Sequence, residues 1–233
     1  MRILLAFFIG VVGFDLRAQT IADRIEADYS IKEIAPDGKE SLIVGKVYFD
    51  GINKTLTHSQ KFPAENLFVF KDSTVLLVYE DSVMRGSSSA LSIELSIYNL
   101  LVENSLNDFG LQRKGFQMDA LTKEEDKVIS DWSLPGAENA GKIRITQKSG
   151  QVEGVIFYDP LGKPLVQQYF RDYSQGSGVS FPMKIYEITN TPLGQNKKIT
   201  THRNIKINDF SDEDDFYDLF RSAQLRLIST GRN

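Results

Sequence analysis

The sequence predicts a mainly-β protein, an antiparallel sheet or barrel with one apolar helix in its interior. Turn signals recur at short intervals, and most segments between them are rich in β-branched and aromatic residues, which favours short hairpin-linked strands over βαβ units. Some of these strands are apolar on both faces, and a sheet covered on one side only does not need that. One stretch in mid-sequence carries helical periodicity instead.

In chain order, Thr20–Ala27 reads as a short helix, with Ile21 and Ile25 four apart and Thr20 and Asp23 placed as a capping box. Tyr29–Ile34 and Ser41–Asp50 flank Pro36-Asp37-Gly38 as a hairpin. Lys54–Phe62, Asn66–Phe70 and Thr74–Glu80 follow as strands; the last two are two-sided, with Phe68 and Phe70 opposite Leu67 and Val69, and Leu76 and Val78 opposite Val75 and Leu77. Ser88–Asn104 is the interior helix: Leu91, Leu95, Tyr98 and Val102 form a stripe that Ile97, Leu100 and Leu101 widen, so it should bury much of its circumference. Lys142–Lys148 and Val152–Tyr158 make a hairpin around Ser149-Gly150-Gln151, and Leu165–Tyr173, Met183–Thr189 and Lys198–Asn208 complete the strands. Ser211–Leu227 closes the chain as a helix, with acids in its first turn and Arg221 and Arg226 later, as the macrodipole prefers.

The N-terminus reads as an address. Arg2 precedes an apolar run from Ile3 to Phe14, too short to span a bilayer, and Ala18 is a small residue at a signal-peptide cleavage point. Residues 1–18 are therefore expected to be a signal peptide and 19–233 one domain, periplasmic and soluble after cleavage. There is no cysteine, so thiolate metal sites, disulfides and a lipid-anchoring cysteine are all excluded; Gln19 stands where an acylated relative would carry one. A net charge of −4 with interspersed cations argues against nucleic acid.

Catalytic chemistry finds little support. No hydrolase, metalloprotease, P-loop or dinucleotide motif occurs, and we expect no enzyme, no cofactor and no metal. The acidic run 212–215 is accounted for as a helix start rather than a calcium loop. His58 and His202 both fall in strand patterns. On Lys198–Asn208 strict alternation puts His202 among Lys198, Thr200 and Asn204 on a polar face, which predicts a solvated histidine, and puts Arg203 among Ile199, Ile205 and Ile207 on an apolar one. A guanidinium there must snorkel, pair with a carboxylate or meet a ligand.

Gly45-Lys46-Val47-Tyr48-Phe49-Asp50, Phe62-Pro63-Ala64-Glu65-Asn66, the Phe68–Glu80 strand–turn–strand, Tyr98–Asn104, Lys142-Ile143-Arg144-Ile145, Asp159-Pro160-Leu161-Gly162-Lys163 and Phe181-Pro182-Met183-Lys184-Ile185 occur in an order that resembles the LolA-like family of periplasmic lipoprotein carriers. The resemblance implies a strongly curved, incomplete antiparallel β-barrel whose apolar concave face is covered by a helical lid. It also implies a function: binding the acyl chains of lipoproteins and shuttling them from inner to outer membrane, between an inner-membrane release complex and an outer-membrane acceptor, as a monomer. Val47, Phe49, Leu56, Phe68, Phe70, Leu76, Val78, Ile97, Leu100 and Leu101 are the residues expected to line the cavity. The arginine that latches the lid in the family has no counterpart, since Gly51 and Ile52 occupy its place; Lys54 and Arg203 are the candidates for latch or head-group contact. A carrier for a free lipid or glycolipid, and a structural envelope protein whose apolar faces are simply its core, are the competing readings.

Overall fold

The structure is a computed structural model that describes residues 22–211, except 72–73, 80–81, 88–96, 103–104, 138, 177 and 210. The segments read as a signal peptide and as a C-terminal helix over 212–227 lie outside the described residues.

Thirteen strands form a single antiparallel sheet. They are β1 (Arg24–Ile34), β2 (Glu40–Asp50), β3 (Thr55–Phe62), β4 (Asn66–Lys71), β5 (Thr74–Tyr79), β6 (Ser82–Ser87), β7 (Gln117–Glu124), β8 (Lys127–Ser133), β9 (Lys142–Lys148), β10 (Gln151–Tyr158), β11 (Pro164–Gly176), β12 (Val179–Thr191) and β13 (Gly194–Ile207). Between β6 and β7 lie the one α-helix among the described residues, α1 (Ile97–Val102), and a 3-10 turn over Gln112–Lys114.

The strand order is β6-β5-β4-β3-β2-β1-β13-β12-β11-β10-β9-β8-β7. Two meanders run outward from a central pair made by the first and last strands, and the register matches Ile25 with Ile207, Tyr29 with His202 and Ile31 with Thr200. This overturns the expected barrel. β6 and β7 are free edges, so the sheet is open and is not strongly curled. The expected helical lid is also absent among the described residues, where α1 alone, six residues long, covers part of the sheet. Short strands divided by turns are equally compatible with an open sheet or a closed one. Closure depends on which strands become edges, and alternation says nothing about that.

Two further expectations are corrected. The helix read over Thr20–Ala27 is strand from Arg24 onward, because Ile25 and Ala27 are wholly buried and pair in register with Phe49 and Val47. Their alternate spacing serves the pleat as well as it serves a helical turn, and tertiary pairing decides. Strands β6, β7 and β8 carried no signal that was read. β7 is exposed along its whole length, so no apolar alternation marks it.

The core lies on the face that α1 covers. Ile97, Tyr98, Leu100 and Leu101 pack with Phe49 of β2, Leu56 of β3, Phe170 of β11, Phe181 of β12 and Ile207 of β13, and the cluster continues through Val155 and Ile145 to Trp132. A smaller cluster of Leu67, Val69, Leu76, Val78 and Val83 occupies the other face of β4–β6. Both faces of β4 and β5 are therefore used, as their two-sided composition requires.

Gly45 is required by packing. A Cβ there would stand 2.3 Å from the Ser59 carbonyl oxygen and 2.9 Å from the Tyr29 hydroxyl. Gly45→Ala should lower stability by about 1–3 kcal/mol, the usual penalty for overpacking, read as a drop in urea midpoint at unchanged slope.

Candidate functional site

A bulge sets the polarity of the central sheet. Between Arg203, opposite Asp28, and Lys206, opposite Glu26, β13 has one residue more than β1, and Asn204 takes a left-handed φ of 50°. Such a bulge reverses the alternation that follows it. Before it, Lys198, Thr200 and His202 point to the core face; after it, Ile205 and Ile207 do. The sequence expectation is thereby inverted. His202 is 2% exposed, and Arg203 lies exposed on the opposite face, with no apolar cavity to guard.

The inward side chains of β11, β12 and β13 form rows across the sheet. Gln168, Glu187 and Lys198 make one; Phe170, Ile185 and Thr200 make the next, which Ile31 of β1 extends. Leu56, His58 and Phe70 approach from β3 and β4, while Ile97 and Tyr98 of α1 and Phe109 lie above. Together they enclose a cavity of about 330 Å³, within the range of small-ligand pockets. Its wall is mostly apolar. The Gln168 amide donates to Glu187 Oε2 at 2.8 Å, and Lys198 Nζ lies 2.9 Å from Glu187 Oε1. The Lys198 side chain is 38% exposed, so this row marks the rim.

Two histidines line the interior. Tyr98 Oη and His202 Nε2 are hydrogen-bonded at 2.8 Å, with the imidazole tautomer setting which of the two donates. His202 Nδ1 is buried without a partner of hydrogen-bonding geometry. Phe181 meets the His202 ring edge-on with centroids 5.0 Å apart. His58 lies between Tyr29 and Phe70, both edge-on, with centroids at 5.2 and 5.9 Å. The surface His58 keeps faces the cavity. Burial is the main cause that brings the pKa of each histidine down to about 4; the other histidine's charge adds to it at His58, and the Pro182 carbonyl opposes it at His202. Burial also pushes the Tyr98 hydroxyl far above its ordinary range and Tyr29 up to about 12.

Of the residues expected to line the cavity, Leu56, Phe70 and Ile97 do so. Val47, Phe49, Leu100 and Leu101 are buried in the adjoining core. Phe68 is half-buried and shares the face of its cross-strand neighbour His58. Leu76 and Val78 belong to the opposite face, because they pair with Val69 and Leu67 and not with Phe70 and Phe68. Lys54 is exposed in the β2–β3 turn, away from the cavity. The residues missed are chiefly polar ones: His58, Gln168, Glu187, Lys198 and His202. The tendency of histidine to sit in strands gave no signal, but the asparagine at 204, a residue type that tolerates left-handed φ, was a legible hint of the bulge.

A larger cleft of about 770 Å³ lies elsewhere, between the 134–141 loop and the 159–162 turn. It is built from turns and an already paired Arg144–Asp131 bridge, with Nε–Oδ1 at 2.7 Å and Nη2–Oδ2 at 2.9 Å. It has no part in the main apolar core, so the smaller cavity is the candidate site.

No family model matches the sequence, and no curated protein matches it. Solved structures do. A LolA superfamily protein from Nitrosomonas europaea aligns with a TM-score of 0.58 at 16% identity, over 84% of this chain and 90% of that one. The two chains share a fold. A putative outer membrane lipoprotein-sorting protein domain from Vibrio parahaemolyticus aligns at 0.56 and 13% identity, over 83% and 88% of the two chains. A DUF1329 family protein from Desulfovibrio piger aligns at 0.54 and 14%, over 80% and 86%. The likeness is one of fold, at identities too low to carry residues across.

The histidines give the fold an acid limit. Their unfolded pKa is 6.5 and their folded value about 4, so between these the unfolded chain binds more protons and stability falls as pH falls. Above pH 6.5 their contribution is flat. Carboxylates held below 3.8 by cation or backbone partners, such as Asp131 beside Arg144, lose their stabilising effect only at still lower pH. Urea midpoints should therefore decline from pH 6.5 to 4, and the His58→Gln/His202→Gln double variant should flatten that decline.

Proposed function

We propose that this protein is an exported acyl-chain carrier, handling lipoprotein acyl chains in the periplasm between an inner-membrane donor and an outer-membrane acceptor, without covalent catalysis. The observation that carries the proposal is the cavity beneath α1, a mostly apolar space with a short polar row at its rim, built into a LolA-superfamily fold. Acyl burial at about 0.8 kcal/mol per CH₂ supplies affinity without any reactive group. The short apolar run at residues 3–14, followed by a small residue at 18, supports export of such a carrier. Leu56, Phe70 and Ile97 form the apolar wall in this reading.

A second reading is favoured by size. A cavity of about 330 Å³ lies at the small end of ligand pockets, which suits one chain of a free lipid or glycolipid better than a triacylated protein.

Native mass spectrometry of the protein purified from its own envelope separates these. Bound acylated protein is expected; free lipid would support the second reading, and empty protein would overturn both. Phe70→Glu should strip the cargo by placing a carboxylate in the apolar wall, whereas Leu161→Glu, at a site 93% exposed, should leave it in place.

A further inference from the structure

Resting on the acyl-carrier reading, we infer that the cavity selects chains with an uncharged polar end (an ester, amide or hydroxyl that hydrogen-bonds to His58) over chains ending in a free carboxylate.

Three observations carry this. His58 lines the cavity and touches Tyr29 and Phe70 only through ring edges; among the described residues, neither of its ring nitrogens has a hydrogen-bond partner. A polar group facing an apolar space is unfavourable until something pairs with it. Neutral imidazole offers one donor and one acceptor, which complement a carbonyl or a hydroxyl. Second, His202 presents no open nitrogen, since its Nε2 is engaged by Tyr98 at 2.8 Å and its unpartnered Nδ1 is fully buried.

Third, the cavity supplies no spare cation for an anion. Among the described lining residues the formally charged groups are Glu187 and Lys198, paired at 2.9 Å, and the second oxygen of Glu187 takes the Gln168 amide. A carboxylate entering here loses its water and meets a neutral ion pair. Ion-pairing with His58 would require protonating a ring that burial keeps neutral down to about pH 4. An ester or amide avoids that penalty.

The test uses two ligands with the same chain, 1-monododecanoylglycerol and dodecanoate, titrated at pH 8 by isothermal calorimetry. The glycerol ester should bind tighter by about tenfold or more. His58→Phe should keep binding but bring the two ligands within about threefold, while His58→Gln, which retains a donor and an acceptor, should keep the preference. Glu187→Gln, by releasing Lys198, should strengthen dodecanoate selectively. Near-UV circular dichroism checks that each variant is folded. Equal binding of the two ligands by the unaltered protein, or a preference that survives His58→Phe, overturns the inference alone. Binding of neither ligand overturns the acyl-carrier reading, and the inference with it.

Discussion

The pairing of β1 with β13 organises the molecule. The first and last strands meet in the middle of the sheet, so the two meanders must grow away from each other and end in edges twelve strand spacings apart, roughly 55 Å along the sheet at the usual separation. The connection between β6 and β7 contains α1, which meets the core with Tyr98 against His202 of β13 and Phe181 of β12. The cavity lies where Ile97 and Tyr98 of α1 and Phe109 stand over the wider sheet.

The bulge at Asn204 decides what that space is lined with. Unbroken alternation would show Arg203 and Ile205 to the same face, and His202 would stay in water. One extra residue keeps Ile205 and Ile207 in the core while turning Lys198, Thr200 and His202 toward the cavity. The floor thus combines aliphatic contacts with a few polar groups, and most of those polar groups are satisfied by their cross-strand neighbours. His202 Nδ1 and the His58 ring are not; the first is fully buried, so His58 stands out as the place where a ligand's polar atom has something to gain.

How much was legible in the sequence varied by element, for identifiable reasons. β9 was read with its true limits, because Lys142–Lys148 alternates cleanly between turn residues. The two-sided character of β4 and β5 correctly implied cover on both faces, and the apolar stripe from Ile97 to Leu101 correctly implied a buried helix. Which face of β5 meets the cavity was not legible, since Val75 and Leu77 are as apolar as Leu76 and Val78; only pairing with β4 tells them apart. The edge strands were invisible because solvent on both sides removes the alternation that reports burial. The polar half of the site was hidden because its members lie on β3, β11, β12 and β13, far apart in sequence and joined only by register.

The central pair also governs the order in which the chain can fold. β1 and β13 lie about as far apart as two strands of one chain can, so the contacts at the middle of the sheet carry a large loop-closure entropy and form late. Strands β1–β6 can pair with one another as soon as they are together, but β1 then presents an unsatisfied edge until the last strand arrives. The aromatic contacts around Tyr98 are incomplete before that moment, because they need Phe181 and His202 from β12 and β13. An architecture whose keystone is β13 therefore ties the completion of its central core to a strand far along the chain from the one it meets.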